Sequence, residues 1–328
     1  MAGCKMQILV TGGAGFIGSN LSEALLQLGH HVRVLDNFST GKRENLEFCK
    51  NNPRFELIEG DIRDFSCCKD AVSGCDVVFH EAALGSVPRS VANPQMSLEV
   101  NAQGFINMIE SARISCVKRF VYASSSSVYG DERTMPKQEN RTGKALSPYA
   151  LSKQMNEAVA ENYAGVYSFQ SIGLRYFNVF GRRQDPDGAY AAVIPKFVMS
   201  LLEHKSPVIN GNGSFSRDFT YIDNVIQANL LAMQTEDPSS VNQVYNIACG
   251  KQTSLNELFL LLREFLAEYD EEIRAIEPVY GPERMGDIPH SLADIEKAAV
   301  RLNYVPEIDV NEGLRQTASW YSKKISGI

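Results

Sequence analysis

Met6-Gln7-Ile8-Leu9-Val10-Thr11-Gly12-Gly13-Ala14-Gly15-Phe16-Ile17-Gly18-Ser19-Asn20-Leu21 decides how the rest of the chain is read. A short apolar run is followed by glycines spaced G-x-x-G-x-x-G and then by apolar residues at helical spacing through Leu28. That order reads as strand, tight turn, helix, with Gly29 as the helix stop. Glycines let the backbone turn sharply and let a phosphate approach the amides. The helix start adds free N–H donors and the positive end of its dipole. The next strand, Val32–Asp36, ends in an acid 18 residues beyond Gly18. A carboxylate there accepts both hydroxyls of an adenosine ribose and repels a 2′-phosphate. Asn37 follows it, not arginine, so the stretch predicts a dinucleotide site for NAD rather than NADP.

Working outward, Phe55–Glu59, Val77–His80, Phe120–Ala123 and Ser171–Arg175 continue a series of short β-rich runs between longer helical patterns. Such alternation predicts an α/β protein with a Rossmann-like, doubly wound parallel sheet covered on both faces. After about residue 180 the texture changes. Pro186, Pro195, Pro207, the turn Gly211-Asn212-Gly213, and Pro278, Pro282 and Pro289 cut the chain into shorter pieces. We expect an NAD-binding domain over 1–180 and a smaller α/β substrate lobe over 181–328. The two interleave, because Gln243–Ala248 reads as a strand that can return to the first sheet, so about 218–250 belongs partly with the first domain.

Composition limits the function classes. The 328 residues carry Lys+Arg 32 against Asp+Glu 39, a net charge of −7, which argues against a nucleic-acid binder. No apolar stretch reaches the roughly 18 residues of a membrane helix, and no basic segment precedes a long apolar one as in a signal peptide. Seven cysteines, with the adjacent pair Cys67-Cys68 and no C-x-x-C, predict a reduced cytoplasmic protein with neither a disulfide framework nor a metal site.

Ser147-Pro148-Tyr149-Ala150-Leu151-Ser152-Lys153 carries Tyr-x-x-x-Lys. Ser147 is a good N-cap and Pro148 a good first helical residue, so Tyr149 and Lys153 share a helix face. An ammonium beside a phenol favours the phenolate, which would make Tyr149 a general base. The spacing alone is uninformative, because it arises readily by chance. Its weight comes from the segment before it, where the strand Phe120–Ala123 ends in Ser124-Ser125-Ser126-Ser127-Val128-Tyr129-Gly130. Ligands of open α/β sheets bind outside the carboxyl ends of strands, and hydroxyls there suit a polyol.

Taken together, T-G-G-A-G-F-I-G, Asp36, S-S-S-x-V-Y-G, Y-x-x-x-K and Leu174-Arg175-Tyr176-Phe177-Asn178 resemble the extended short-chain dehydrogenase/reductases, over essentially the whole chain. Within them the sequence is similar to the UDP-sugar 4-epimerases. Gly181–Pro195, Ala83–Ser90 and His290–Asp294 are particularly similar to bacterial UDP-N-acetylglucosamine 4-epimerases.

The resemblance implies C4 epimerisation of UDP-N-acetylglucosamine to UDP-N-acetylgalactosamine through a transient 4-keto sugar, with NAD as a retained cofactor. By position it implies that Gly12, Gly15, Phe16, Ile17 and Gly18 hold the pyrophosphate and that Asp36 and Asn37 take the adenosine ribose. Asp61 and Ile62 would flank adenine, and Ala82, Ala83, Asn101 and Tyr176 would serve the nicotinamide side. Tyr149 would be the base, Lys153 its partner, and Ser125 a donor at the sugar O4. Gly85, Ser86, Ser126, Ser127, Asn178, Ala192, Val193, Asn210, Arg217, Arg284 and Asp287 would hold the UDP-sugar. Arginine suits the diphosphate because its planar fork matches phosphate geometry.

Two positions separate this chain from related enzymes. Sugar-nucleotide 4,6-dehydratases carry Asp-Glu in the places of Ser126-Ser127, and two hydroxyls do not replace those carboxylates. Ser291 stands where galactose-type epimerases often carry a bulky tyrosine, leaving room for a 2-N-acetyl group. Epimerisation of UDP-glucose or of the uronate UDP-N-acetylglucosaminuronate is the alternative, with Arg89 a candidate for the carboxylate. A non-enzymatic NAD-binding regulator would commonly lack the Tyr–Lys pair. The resemblance also implies a homodimer through a four-helix bundle built from Asn101–Ser115 and Pro148–Ala164, the first carrying a stripe of Ile106, Met108 and Ile109.

Overall fold

The computed structural model describes residues 5–187, 191–283 and 289–326. Seven strands form one sheet: β1 (Gln7–Thr11), β2 (His31–Asp36), β3 (Phe55–Glu59), β4 (Val77–His80), β5 (Arg119–Ser125), β6 (Ser171–Tyr176) and β7 (Gln243–Ile247). Their order is β7-β6-β5-β4-β1-β2-β3, with every pairing parallel. The expected doubly wound parallel sheet is therefore present. The strands alternate sides with period two. Ile8 and Val10 join Val32, Val34, Phe79, Val121 and Leu174 in one apolar layer, while Leu9, Leu35, Val78, Phe120 and Tyr122 build the other.

Topology places the cleft. From β1 the chain winds outward through β2 and β3, then crosses back to β4 on the other side of β1. A crevice opens at the carboxyl ends of β1 and β4, where the winding reverses. In register, Thr11 stands beside Leu35 on one side and His80 on the other. The residues next along the chain from these three, Gly12, Asp36 and Glu81, therefore meet at one rim.

The second half is not confined to one side of this sheet. Helix Ile222–Gln234 buries Ile222, Val225, Ile226, Ala228 and Ala232 in the first layer, and β7 lies on the β6 edge with Tyr245 opposite Leu174. Three short pairs of strands shape the remainder: 179–180 with 220–221, 216–217 with 253–254, and 208–210 with 279–281.

On helix Gly104–Ile114, two of the three stripe residues, Met108 and Ile109, are fully buried with Phe105 and Ala112 against the sheet, while Ile106 is half-buried. That helix needs its apolar side to cover β4 and β5. Among the described residues, no helix is long and apolar enough to cross a membrane, and no cluster of His, Cys, Asp or Glu is suited to a metal ion.

Candidate active site

The glycine turn is built by close approach. Gly12 has φ +66°, and a Cβ on it would lie 2.7 Å from the Ala82 Cα. A Cβ on Gly18 would lie 2.3 Å from the Gly12 carbonyl oxygen, so the first helix, Phe16–Gln27, can seat against the turn only with glycine there. Its N-cap is Gly15, and no side chain caps the first turn. Those leading amides are left to an anion, which is the arrangement a pyrophosphate requires.

Asp36 is buried at the end of β2 and accepts from the Ala14 amide at 2.9 Å and the Phe38 amide at 2.8 Å. Burial raises its pKa above the ordinary carboxylate value while the two amides pull it down. Asp61 is held at about 2, chiefly by the Arg63 guanidinium, and also accepts from Asn37 at 2.8 Å. Two carboxyl groups thus face one end of the cleft, with Asp61 held ionised, which suits ribose hydroxyls and disfavours an added phosphate.

At the other end stand Tyr149 and Lys153, on helix Pro148–Tyr167. Ser147 caps that helix by accepting from the Ala150 amide at 3.1 Å, and Pro148 is its first residue, as the sequence predicts. Lys153 donates to the Ala123 carbonyl at 2.7 Å, with its nitrogen 6.0 Å from the Tyr149 ring centroid. Burial lowers Lys153 to about 8. The expected lowering of Tyr149 is not found. Burial raises this phenol, a hydrogen bond with Ser125 pulls the other way, and Glu81 raises it further. The reason is desolvation at the inner end of the cleft, which disfavours a phenolate more than the single hydroxyl favours it.

These groups line one cavity of about 610 Å³. It brings together Gly12, Gly15, Phe16, Ile17, Gly18, Asp36, Asn37, Asp61, Ile62, Ala82, Ala83, Gly85, Ser86, Ser125, Tyr149, Lys153, Tyr176 and Ala192 of the expected residues, and also Arg89. Ser86 is held there at φ +102°, a conformation rare for a residue with a side chain. Asn101 sits behind the wall instead of in it: it is buried, its amide group clamps the Leu84 backbone, and its Nδ2 also donates to Ser152. Ser126, Ser127, Asn178, Val193, Asn210, Arg217 and Ser291 lie outside the cavity lining. Of these, Asn178 and Arg217 border the short strands around 216–221, where Asn178 donates to the Asp218 carbonyl and Arg217 to the Pro289 carbonyl. The Ser291 amide bonds the Ser216 carbonyl beside Arg217. Arg284 and Asp287 fall outside the described residues.

Sequence reasoning missed Glu81. It lies in the cavity wall, accepts from the Tyr176 hydroxyl at 2.9 Å, and burial raises it to about 7. The available signal was an acid directly after a buried strand, in Val77-Val78-Phe79-His80-Glu81-Ala82-Ala83. Lys42 and Asp185 were also missed. Their ion pair, 2.7 Å, ties the loop after β2 to the segment after residue 180 across the cleft.

Residues 8–248 match the family described as NAD dependent epimerase/dehydratase. This chain belongs to that family. Its cofactor is NAD, and the cavity fits it, with two close-packed glycines at an uncapped helix start and a carboxylate wall beyond. Among solved structures, a UDP-N-acetylglucosamine 4-epimerase from Methanobrevibacter ruminantium M1, in complex with UDP-N-acetylmuramic acid, is 38% identical with a TM-score of 0.90, covering 99% of each chain. A UDP-glucose 4-epimerase from Thermotoga maritima, with UDP-glucose, is 37% identical with a TM-score of 0.89, covering 98% of this chain and 100% of the other. A UDP-glucose 4-epimerase of Mycolicibacterium smegmatis is 35% identical over 97% of this chain and 99% of its own.

Proposed function

We propose that this epimerase/dehydratase family member is a UDP-sugar 4-epimerase whose preferred substrate is UDP-N-acetylglucosamine. The observation that carries the epimerase reading is the convergence of Ser125, Tyr149 and Lys153 at the inner end of the dinucleotide cleft. NAD in that cleft supplies the oxidising and reducing equivalents for a carbon that bears a hydroxyl. The protein supplies proton transfer and geometry. Tyr149 takes the proton of the sugar 4-hydroxyl and later returns it, Ser125 hydrogen-bonds the same oxygen, and the Lys153 ammonium favours the phenolate as it forms. Arg217 with Arg284 anchors the diphosphate while the sugar turns over between the two half-reactions. Ser126 and Ser127 bring hydroxyls where elimination of water needs carboxylates, which favours epimerisation over dehydration.

Overall similarity does not choose the sugar, since UDP-N-acetylglucosamine and UDP-glucose epimerases match at 38% and 37% identity. The small Ser291, fastened beside Arg217, supports the acetylated sugar. The test is incubation of the purified protein, without added NAD, with UDP-N-acetylglucosamine, UDP-glucose or UDP-N-acetylglucosaminuronate, read by proton NMR. Faster formation of UDP-N-acetylgalactosamine than of UDP-galactose is expected. Turnover confined to the uronate would move the substrate to the acidic sugar, and turnover of none would refute the epimerase reading.

We also read the chain as a homodimer. With the Met108 and Ile109 face committed to the sheet, the exposed stripe Leu151, Met155 and Val166 on helix Pro148–Tyr167 is the surface for a second copy. Spacings of 4 and 11 residues put the three on one helix face.

A further inference from the structure

The cleft contains an acid for which the proposed chemistry has no use. Glu81 follows β4, and its backbone amide donates to the Thr11 carbonyl at 3.2 Å, so its position is set by the central strands of the sheet. Its Oε1 accepts from Tyr176 at 2.9 Å, and the same Tyr176 hydroxyl accepts from Asn229 at 2.9 Å, a chain that reaches from the helix Ile222–Gln234 to the cleft. Its Oε2 is buried with no hydrogen-bond partner. A carboxylate tethered by one oxygen, with the other buried beside a catalytic pair, is a poor structural element, because an unpaired buried polar atom costs stability.

The groups around it show where its influence goes. Lys153 and Tyr149, from helix Pro148–Tyr167, and Tyr176, from β6, line the same cavity as Glu81. Asn229 is uncharged. His80, its neighbour on β4, points to the other side, hydrogen-bonds Thr11 at 2.9 Å and is kept neutral by burial. Burial works against the Lys153 ammonium, and the Glu81 carboxylate works for it, with Glu157, one turn further along the same helix and already paired with Arg175, adding to the same effect. The same carboxylate works against the Tyr149 phenolate.

We propose that Glu81 is a positioning residue of the epimerisation site: held by the Tyr176–Asn229 chain, it keeps Lys153 charged and sets the pH at which Tyr149 becomes a base. The role rests on the epimerase reading for its purpose, but the charge coupling does not depend on which sugar is bound. Glu81 neither touches the reacting atoms nor exchanges a proton with substrate. It raises the pH of Tyr149 ionisation and extends the pH range over which Lys153 remains an ammonium.

The test uses the holoenzyme. Phenolate absorbance is titrated as the difference between each protein and the same protein carrying Tyr149→Phe, with no sugar present, and kcat is then measured against pH. In Glu81→Gln the lost negative charge moves the Tyr149 titration and both limbs of the kcat profile toward acid by about one pH unit. Glu81→Asp, which keeps the charge, restores most of the wild-type profile. Glu81→Ala also removes the charge, should shift the titration in the same direction, and serves as the probe if Glu81→Gln does not fold, whereas Tyr176→Phe leaves Glu81 ionised where Tyr149 titrates and should stay close to wild type. A Tyr149 titration superposable on wild type in the folded variant overturns the proposal. Absence of turnover on every UDP-sugar, with the titration still shifted, would refute the activity and leave the coupling standing.

Discussion

Arg175→Met should be among the most damaging single substitutions outside the cleft. Arg175 on β6 is 3% exposed and Glu157, one turn beyond Lys153, is 15% exposed. The guanidinium grips Glu157 with two bonds, 2.9 and 2.7 Å, and spends its remaining nitrogen on the Tyr129 hydroxyl and the Glu139 carbonyl, both at 3.1 Å. Glu157 also accepts from the Ser124 hydroxyl at 2.5 Å, next to Ser125. Removing one partner of a buried pair leaves the other charge uncompensated, at a cost of about 3–5 kcal/mol. Methionine fills much of the arginine volume, so little of the loss comes from a cavity, and about 4 kcal/mol is expected. Arg175→Met with Glu157→Leu removes both charges and should cost less than the single Arg175→Met, leaving a coupling of about 2–3 kcal/mol. The assay is urea unfolding of the wild type, both singles and the double by far-ultraviolet circular dichroism at neutral pH. Because Glu157 orients Ser124 and the catalytic helix, kcat should also fall about tenfold or more in the single variant, with a smaller change in KM. A cost of Arg175→Met below about 1 kcal/mol, or strict additivity in the double variant, would refute the reasoning.

Other expectations follow from the same geometry. Tyr149→Phe should lower kcat by about two to four orders of magnitude while the purified protein still carries NAD, since a lost general base leaves the binding turn intact; near-full activity would reassign the base. Gly18→Ala places a methyl 2.3 Å from the Gly12 carbonyl, so the helix start must move; NAD content of the purified protein, read by absorbance after denaturation, should fall sharply, and wild-type content would contradict the packing argument. Met155→Glu with Val166→Lys should halve the mass seen by sedimentation if the exposed stripe is the dimer face, and an unchanged mass would exclude it. For the NAD-free protein, Glu81 is raised to about 7 when folded, so its contribution is fully present below its unfolded value and is lost as pH rises through about 7. Glu81→Gln should therefore flatten the fall in thermal midpoint between weakly acidic and neutral pH; an unchanged slope would show that another group titrates there.

Much of this was legible along the chain because it is local. The glycine turn, the acid at the end of β2 and the Ser147-Pro148 helix start are short-range patterns, and each occupies the place its chemistry predicts. Parallel strands buried on both faces read as apolar runs, so six of the seven sheet strands could be counted in the first 180 residues, and Gln243–Ala248 carried the same signature out of order. The apolar stripe on helix Gly104–Ile114 could not be assigned from sequence, because periodicity shows that a face is apolar but not whether a sheet or a second chain covers it; Met108 and Ile109 pack on the sheet.

The α/β alternation, the dinucleotide turn and the Tyr–Lys helix could be read along the chain, since each depends on contacts within a few residues. Which charges meet was settled by long-range packing. Glu81, Lys153, Tyr176 and Asn229 lie far apart in the chain, as do Arg175, Glu157 and Ser124, and they meet because the parallel sheet returns each strand end to one rim. Burial then sets their protonation, raising Tyr149 where the local pairing alone predicted the reverse. The energy of a buried charge depends on what surrounds it in space, and that is assembled only when the strands pair.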